Sequence, residues 1–448
     1  MKAGSIRGQL RPVLLGGICF AAALGLAGCD NGSSAADTSA DVATISVETS
    51  PFSAAGLAEL DAVMESGVTR EEVHGLSYLL VSGDEEIARS YFGVKDPETG
   101  DPIAEDTIFR IYSMSKPITG VAMMMLWEEG KWGLDDPVTD YVPEFADLKV
   151  LNGTNEDGSP ILVDMERPPT MREVMAHTAG FAYGLGGDDV SNTAFRERRI
   201  LRSPDLPSFI DAVADVPLLF QPGTNWAYSA SVDIQGYIVE KLSGQPFGEF
   251  LDERIFTPLG MDDAGFYVPE DQYDRLSGVF TYSPDHGRLV NAVSPASAFR
   301  ESTIPMESGG GGLLMTLDDY AAFCQMLLNG GSYEGQKLLE PETIELMATD
   351  VLPEGVSIWS DGNAGSNSRG AGQGFGLDFG IVVDPEAAGS GQGAGSYYWG
   401  GAAGTWFWID PVNDLYFIGM IQRFSGNPAS DLDLRAASRE AVYDALEN

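Results

Sequence analysis

The spacing of apolar residues divides this chain into three zones. In the first, residues 57–63 have the periodicity of a helix, and 76–81 and 87–92 are apolar runs of strand length with Gly83-Asp84 as the turn between them. The stretch 107–130, TIFRIYSMSKPITGVAMMMLWEEG, then reads as one helix up to Gly130, apolar nearly all round through Met123, Met124, Met125, Leu126 and Trp127. A helix with no polar face belongs in a core. Pro117 fits its first turn, where proline costs no hydrogen bond.

The second zone, about 131–310, is mainly helical or irregular. It holds a loop at 133–145 with Asp135-Asp136-Pro137, short helices at 171–175 and 208–213, and an amphipathic helix at 231–242 with Gly244 as its stop. A further helix is expected at 247–256. Another, over 317–328, is capped by Thr316, with Asp318 and Asp319 in its first turn. Strand patterns return in the third zone at 375–383, 405–409 and 415–421, the last two joined by a turn at 411–414, before a final helix at 434–446. Residues 360–374 and 385–396 are rich in Gly, Ser and Asn and read as mobile loops. Strands at both ends with helices between predict an α/β fold: one antiparallel sheet built from both chain ends, flanked by helices, with a mainly helical insertion.

The N-terminus changes the picture of where folding starts. Lys2, Arg7 and Arg11 precede an apolar run from Val13 to Gly28, and Leu26-Ala27-Gly28-Cys29 resembles a bacterial lipobox. Residues 1–28 are thus expected to be a lipoprotein signal peptide, with Cys29 lipidated and anchoring the chain to a membrane of the cell envelope. Asp30 beside it resembles the inner-membrane retention signal of enteric bacteria. Residues 29–50, small and polar, read as a flexible tether, and 51–448 as one catalytic domain. Beyond position 29 the single cysteine, Cys324, has no partner for an internal disulfide and is expected to be a core thiol. Residues 1–29 hold three bases and no acid, so the remainder sets 67 acidic against 23 basic side chains, net −44. Such a field repels nucleic acid and anionic lipid surfaces.

Candidate chemistry centres on Ser113 and Lys116. Lys116 is the only one of seven lysines with a serine three places before it. On a helix the two stand one turn apart on one face. Free N–H groups at the helix start favour a developing oxyanion at Ser113, and a buried lysine that has lost its proton can accept the hydroxyl proton. Ser-x-x-Lys alone is weak; a lysine on a helix with no polar face is what needs a reason. Tyr228, in Asn225-Trp226-Ala227-Tyr228-Ser229-Ala230 before the 231–242 helix, stands at a loop–helix junction. A tyrosine beside a lysine ammonium gives up its proton more readily and can act as a base. Trp399-Gly400-Gly401-Ala402-Ala403-Gly404, ahead of the strand at 405–409, lets backbone approach a ligand closely.

These three elements in this order resemble the penicillin-recognising serine hydrolases: class C β-lactamases, DD-peptidases and their esterase relatives. Phe109-Arg110-Ile111-Tyr112, Leu134-Asp135-Asp136-Pro137-Val138, His177-Thr178-Ala179-Gly180, Pro258-Leu259-Gly260-Met261 and Gly309-Gly310-Gly311-Gly312-Leu313 are also like that family. Two departures narrow it. The second motif there ends in asparagine, whereas Ala230 stands here. The third is Lys-Thr-Gly, whereas Trp399, Gly400 and Gly401 stand here, giving apolar area and no charge. This pattern is similar to the family VIII carboxylesterases. The resemblance implies Ser113 as nucleophile, Lys116 and Tyr228 as its activators, the N–H groups of Ser113 and Ala402 as oxyanion hole, and Trp399, Gly400 and Gly401 as substrate contacts. The implied substrates are small esters with short acyl or aryl groups; no cofactor is implied.

Rival readings are weaker. No serine has glycine at both −2 and +2, so a Gly-x-Ser-x-Gly elbow is absent. His74, His177 and His286 with one thiol give no metal-ligand spacing. A β-lactamase or D-alanyl-D-alanine carboxypeptidase is the runner-up, with Arg423 as the possible carboxylate partner. A catalytically silent penicillin-binding-like envelope protein is the reading from outside enzymes. Phe181, Tyr183, Tyr398 and Trp399 suggest an aromatic-lined cleft.

Overall fold

The computed structural model describes residues 51–293, 304, 306–358 and 370–447. The signal peptide and tether expected at 1–50, Cys29 included, lie outside the described residues, as does most of the loop expected at 360–374.

An eight-stranded antiparallel sheet is built from both ends of the chain. The first hairpin, β1 (Gly75–Ser82) and β2 (Glu85–Asp96), turns at Gly83 in the left-handed region (φ +57) and is followed by a short β3 (Asp101–Pro102). The C-terminal part contributes β4 (Gln373–Phe375), β5 (Gly380–Val382), β6 (Tyr397–Gly400), β7 (Trp406–Asp410) and β8 (Leu415–Ile421). Their order across the sheet is β4-β5-β6-β7-β8-β1-β2-β3. The two ends of the chain meet where Leu79 pairs with Ile418. Central strands β1, β7 and β8 are buried nearly throughout, which their continuous apolar runs anticipate for strands covered on both faces.

The two faces receive different helices. Helix α1 (Ala54–Thr69), capped by Ser53, and the C-terminal helix α5 (Leu434–Ala445) cover one face. Leu60, Met64 and Val442 pack there on Tyr78, Leu80, Trp406, Trp408 and Phe417. Gly56 allows the two helices to touch, since a Cβ there would lie 2.4 Å from that of Ala445. The other face carries α2 (Ser115–Glu128), α3 (Ser231–Ser243) and α4 (Leu317–Leu328), with Leu79, Phe407 and Ile418 facing a larger core that includes the buried Cys324. Burial pushes that thiol well above its ordinary range, so it stays protonated.

Four local readings need correction. The run 375–383 is not one strand but the hairpin β4–β5, with Phe375 opposite Gly380 and Asp378 at φ +65 in the turn. Residues 397–400, expected to precede a strand without being one, form β6 and pair with β7. The middle of the chain includes two hairpins, Lys149–Thr154 with Pro160–Asp164 and Val279–Ser283 with Arg288–Val293. The helix expected at 247–256 changes to a wider π turn at Asp252–Phe256. By contrast Met171–Met175 and Leu317–Leu328 form as read, each closed by a capping box, from Thr170 and Thr316.

Candidate active site

The stretch 107–130 is not one helix. Phe109–Arg110 pairs with Leu314–Met315, Tyr112–Met114 makes a 3₁₀ turn, and α2 begins at Ser115. Ser113 therefore projects from the turn ahead of the helix. The residue before it, Tyr112, sits at φ +47. A bulky side chain in the left-handed region is strained, and such strain collects at functional sites. From Ser115 to Leu126 every residue of α2 is buried, Lys116 with them at 0% exposure.

Lys116 Nζ donates to three acceptors: Ser113 Oγ at 3.4 Å, Tyr183 Oη at 3.3 Å and the Gly310 carbonyl at 2.6 Å. Three acceptors match the three protons of an ammonium. Gly310 reaches Lys116 because the 309–313 stretch lies flat along α2, where Thr119 donates to Gly309 O and Leu313 N–H donates to Ser115 Oγ. A side chain would not fit: a Cβ at Gly310 would stand 2.5 Å from Asp233 Oδ2. Asp233, buried in the first turn of α3, accepts the Gly310 N–H at 3.1 Å and the Ser308 hydroxyl, and so fixes the carbonyl that Lys116 uses. Burial raises the Asp233 carboxyl, against the pull of the Lys116 charge.

Tyr228 comes from the loop entering α3. Its ring lies against the ammonium, with Nζ 4.5 Å from the centroid, and packs on His177, Tyr183 and Trp399 with centroids 5.1, 5.5 and 5.5 Å apart. The loop is held by Ala227 N–H to His177 O, Ala230 N–H to Ala182 O, and the His177–Ser229–Ser231 side-chain chain at 2.8 Å per step. His177 is wholly enclosed and burial drives its basicity far down, so it holds the loop as a neutral ring. Of the two tyrosines on Lys116, Tyr183 is pushed well above its ordinary range by burial and then by Asp233, and remains a phenol.

The third element is β6 and the turn after it. Trp399, 7% exposed, faces Tyr228 and Phe375, with the Phe375 centroid at 5.3 Å. Strand alternation sends Tyr398 to the opposite face, among the residues under α1 and α5. Gly401 presses on the backbone before Ser113: a Cβ would lie 2.4 Å from Ile111 O, and Thr405 Oγ1 donates to that same oxygen. The turn closes by Gly404 N–H to Gly401 O, with exposed Ala402 at its apex. Arg435, reaching from α5 on the far face, donates to Gly401 O and Thr405 O.

The structure thus brings Ser113, Lys116, Tyr228 and Trp399 together and lays the 401–404 turn on the backbone two residues before Ser113. It does not bring Arg423: that guanidinium is paired with Glu72 at 3.0 Å and caps the Glu72 carbonyl. Phe181 packs against Phe145 in the core, with its ring centroid 5.1 Å away. Tyr183 is nearer the chemistry than a cleft wall, and Asp233, Gly310, Gln235 and Asp378 carried no assignment from sequence. Asp233 and Gln235 had a signal close to the one that singled out Lys116, a polar side chain on the buried face of its helix.

A serine beside a buried lysine at a helix start, a tyrosine from a second helix entrance, and a glycine turn between two inner strands of the sheet are the parts of a penicillin-recognising serine hydrolase. The Beta-lactamase family profile matches residues 60–441, and the chain belongs to that family. Esterase EstB of Burkholderia gladioli is 30% identical over 403 residues, covering 86% of this chain and 95% of EstB. Lovastatin esterase of Penicillium rubens is 31% identical over 336 residues, covering 71% of this chain and 80% of that esterase. Among solved structures, simvastatin synthase LovD of Aspergillus terreus shares the fold with a TM-score of 0.75 at 22% identity, covering 87% of this chain and 98% of LovD.

Proposed function

We propose that this chain is a serine hydrolase that cleaves small carboxylic esters, with short acyl or aryl groups, through an acyl-enzyme on Ser113. The observation that carries it is the contact of Ser113 Oγ with a fully buried Lys116 whose ammonium lies on the Tyr228 ring. The Ser113 oxygen attacks the ester carbonyl as its proton passes to the Lys116–Tyr228 pair. Three acceptors already occupy the Lys116 Nζ, which leaves the Tyr228 oxygen as the receiving atom of the pair. The N–H groups of Ser113 and Ala402 hold the tetrahedral oxyanion. Its collapse expels the alcohol, which takes the proton back. Water, losing its proton to Tyr228, then attacks the acyl-enzyme and releases the acid. Trp399, Gly400 and Gly401 contact the substrate.

Esterase names among the relatives support the ester reading over the β-lactam one, and so does Trp399 where a lysine would meet a carboxylate. Initial rates on p-nitrophenyl butyrate and nitrocefin, measured side by side with Ser113→Ala as control, test it. Butyrate turnover that vanishes in the variant, with slow or no nitrocefin turnover, is expected. Preferred nitrocefin turnover would reverse the assignment.

The lipobox ending at Cys29 supports a periplasmic or cell-envelope lipoprotein. Palmitate labelling lost in Cys29→Ser is the expected result; labelling that persists would remove the anchor from this position.

A further inference from the structure

Two aromatic groups of different character belong to the elements around Ser113: one lies on the Lys116 ammonium, the other begins at the residue before Ser113. Trp399, Tyr228 and Phe375 form one, with Trp399 7% exposed and Phe375 fully buried. The other is the pair Tyr112–Phe424, centroids 5.3 Å apart in an edge-on arrangement, with Phe424 42% exposed. Phe424 is one of few large apolar side chains left open among the described residues.

This second pair is built, not incidental. Buried Gln422 clamps the backbone of Arg110, accepting its N–H at 3.3 Å and donating to its carbonyl at 2.9 Å. Buried Arg110 in turn donates to the Tyr112 hydroxyl at 3.4 Å. Two residues past Gln422, Phe424 is fixed by its N–H to Phe280 O. Between them, Arg423 N–H donates to Ala403 O at 2.6 Å, next to the Ala402 N–H assigned to the oxyanion. Tyr112 therefore stands on the segment that presents the Ser113 N–H, and Phe424 on a neighbouring segment hydrogen-bonded to the turn that presents the Ala402 N–H. Tyr112 holds its ring there from a left-handed backbone that glycine would adopt without strain.

We propose that Tyr112 and Phe424 form the subsite for the departing alcohol and that it selects aryl and other flat apolar alcohols. The inference rests on Ser113 being the nucleophile. The acyl group stays in the site through both acylation and deacylation and suits an enclosed wall, whereas the alcohol must leave before water enters and suits an open one. Edge-on and stacked contacts from two rings favour a flat partner over a small alkyl group.

The test uses the full-length enzyme and esters that share an acyl group, phenyl butyrate and ethyl butyrate. In Phe424→Ala the ratio of kcat/KM for phenyl over ethyl butyrate is expected to fall about tenfold. Phe424→Leu, which keeps apolar area without a ring, should fall between. Hydrolysis of the preformed butyryl-enzyme should run at the wild-type rate, because the alcohol has already gone. An equal loss on both esters, or a change that follows acyl chain length between p-nitrophenyl acetate and octanoate, would overturn the subsite. Intact-mass detection of a butyryl adduct on Ser113 separates the two levels: an adduct with an unchanged ester ratio sinks the subsite alone, and absence of any adduct sinks the nucleophile and the subsite with it.

Discussion

The two faces of the central sheet are both covered by helices and made of different material. Under α1 and α5 the contacts are mainly apolar and aromatic: Tyr78 stacks on Phe417, Phe417 on Trp408, the helices add Leu60, Met64 and Val442, and the buried acid Asp410 is held by the Tyr443 hydroxyl. Under α2, α3 and the β4–β5 turn the same depth encloses Lys116, His177, Asp233, Gln235 and Asp378. Burying charge is costly unless it is paired and hydrogen-bonded. One face thus holds the fold together, and the other gives up stability to hold a lysine, a phenol and a hydroxyl in register. Arg435 reaches across from α5 to the carbonyls of Gly401 and Thr405.

Substitutions can separate the two faces. The largest effect belongs to Ser113→Ala, expected to lower kcat/KM on p-nitrophenyl butyrate by about 10³-fold or more, with a thermal midpoint at or above that of the parent. Leu60→Ala, at a site with 0% exposure, should do the opposite. Urea unfolding is expected to show a loss of about 2–5 kcal/mol, with kcat/KM kept at temperatures where the variant is folded. If Leu60→Ala abolished activity while folded, the division of labour would be wrong.

Asp378 sharpens the comparison because it is a buried acid on the active face. Gln235 donates to its Oδ1 at 3.1 Å, and its Oδ2 lies against Gly120 one turn beyond Lys116, where a Cβ would stand 2.8 Å away. Burial drives its carboxyl well above the ordinary 3.8, more than Gln235 and the Lys116 charge draw it back. The folded protein thus keeps a proton that the unfolded chain releases. Its stability contribution is whole below the ordinary value and is lost as pH rises through the folded one. Asp378→Asn has no proton to lose, so it should gain on wild type with rising pH, by about 1–3 kcal/mol near neutrality. A difference that stayed flat with pH would mean that this carboxyl does not titrate between the two states. Smallest of all, Thr316→Ala removes the capping box of α4, for about 1 kcal/mol by the same unfolding assay.

Much of this was legible in the order of residues, and the reason is local. A run such as 415–421 or 317–328 needs only its own apolar period and cap to declare itself, and both formed where read. The candidate nucleophile was legible because Lys116 breaks the pattern of an apolar helix. What stayed hidden depends on partners distant in sequence. The hairpin at 373–382 turns because Gly376 must pass close to Met347 O, where a Cβ would lie 2.0 Å away, and no neighbour in sequence shows that. Tyr398 and Trp399 go to opposite faces only because 397–400 is a strand. Gly310 looked like one glycine among four until Asp233 and Lys116 closed on it from two helices.

The central claim is that Ser113, and no other serine, carries the acyl group. Its most direct measurement is labelling of the intact protein with a fluorophosphonate, followed by peptide mapping. The account predicts one adduct per chain, on Ser113, absent from Ser113→Ala and slowed in Tyr228→Phe. An adduct on a different serine, or labelling of Ser113→Ala at the parent rate, would contradict it.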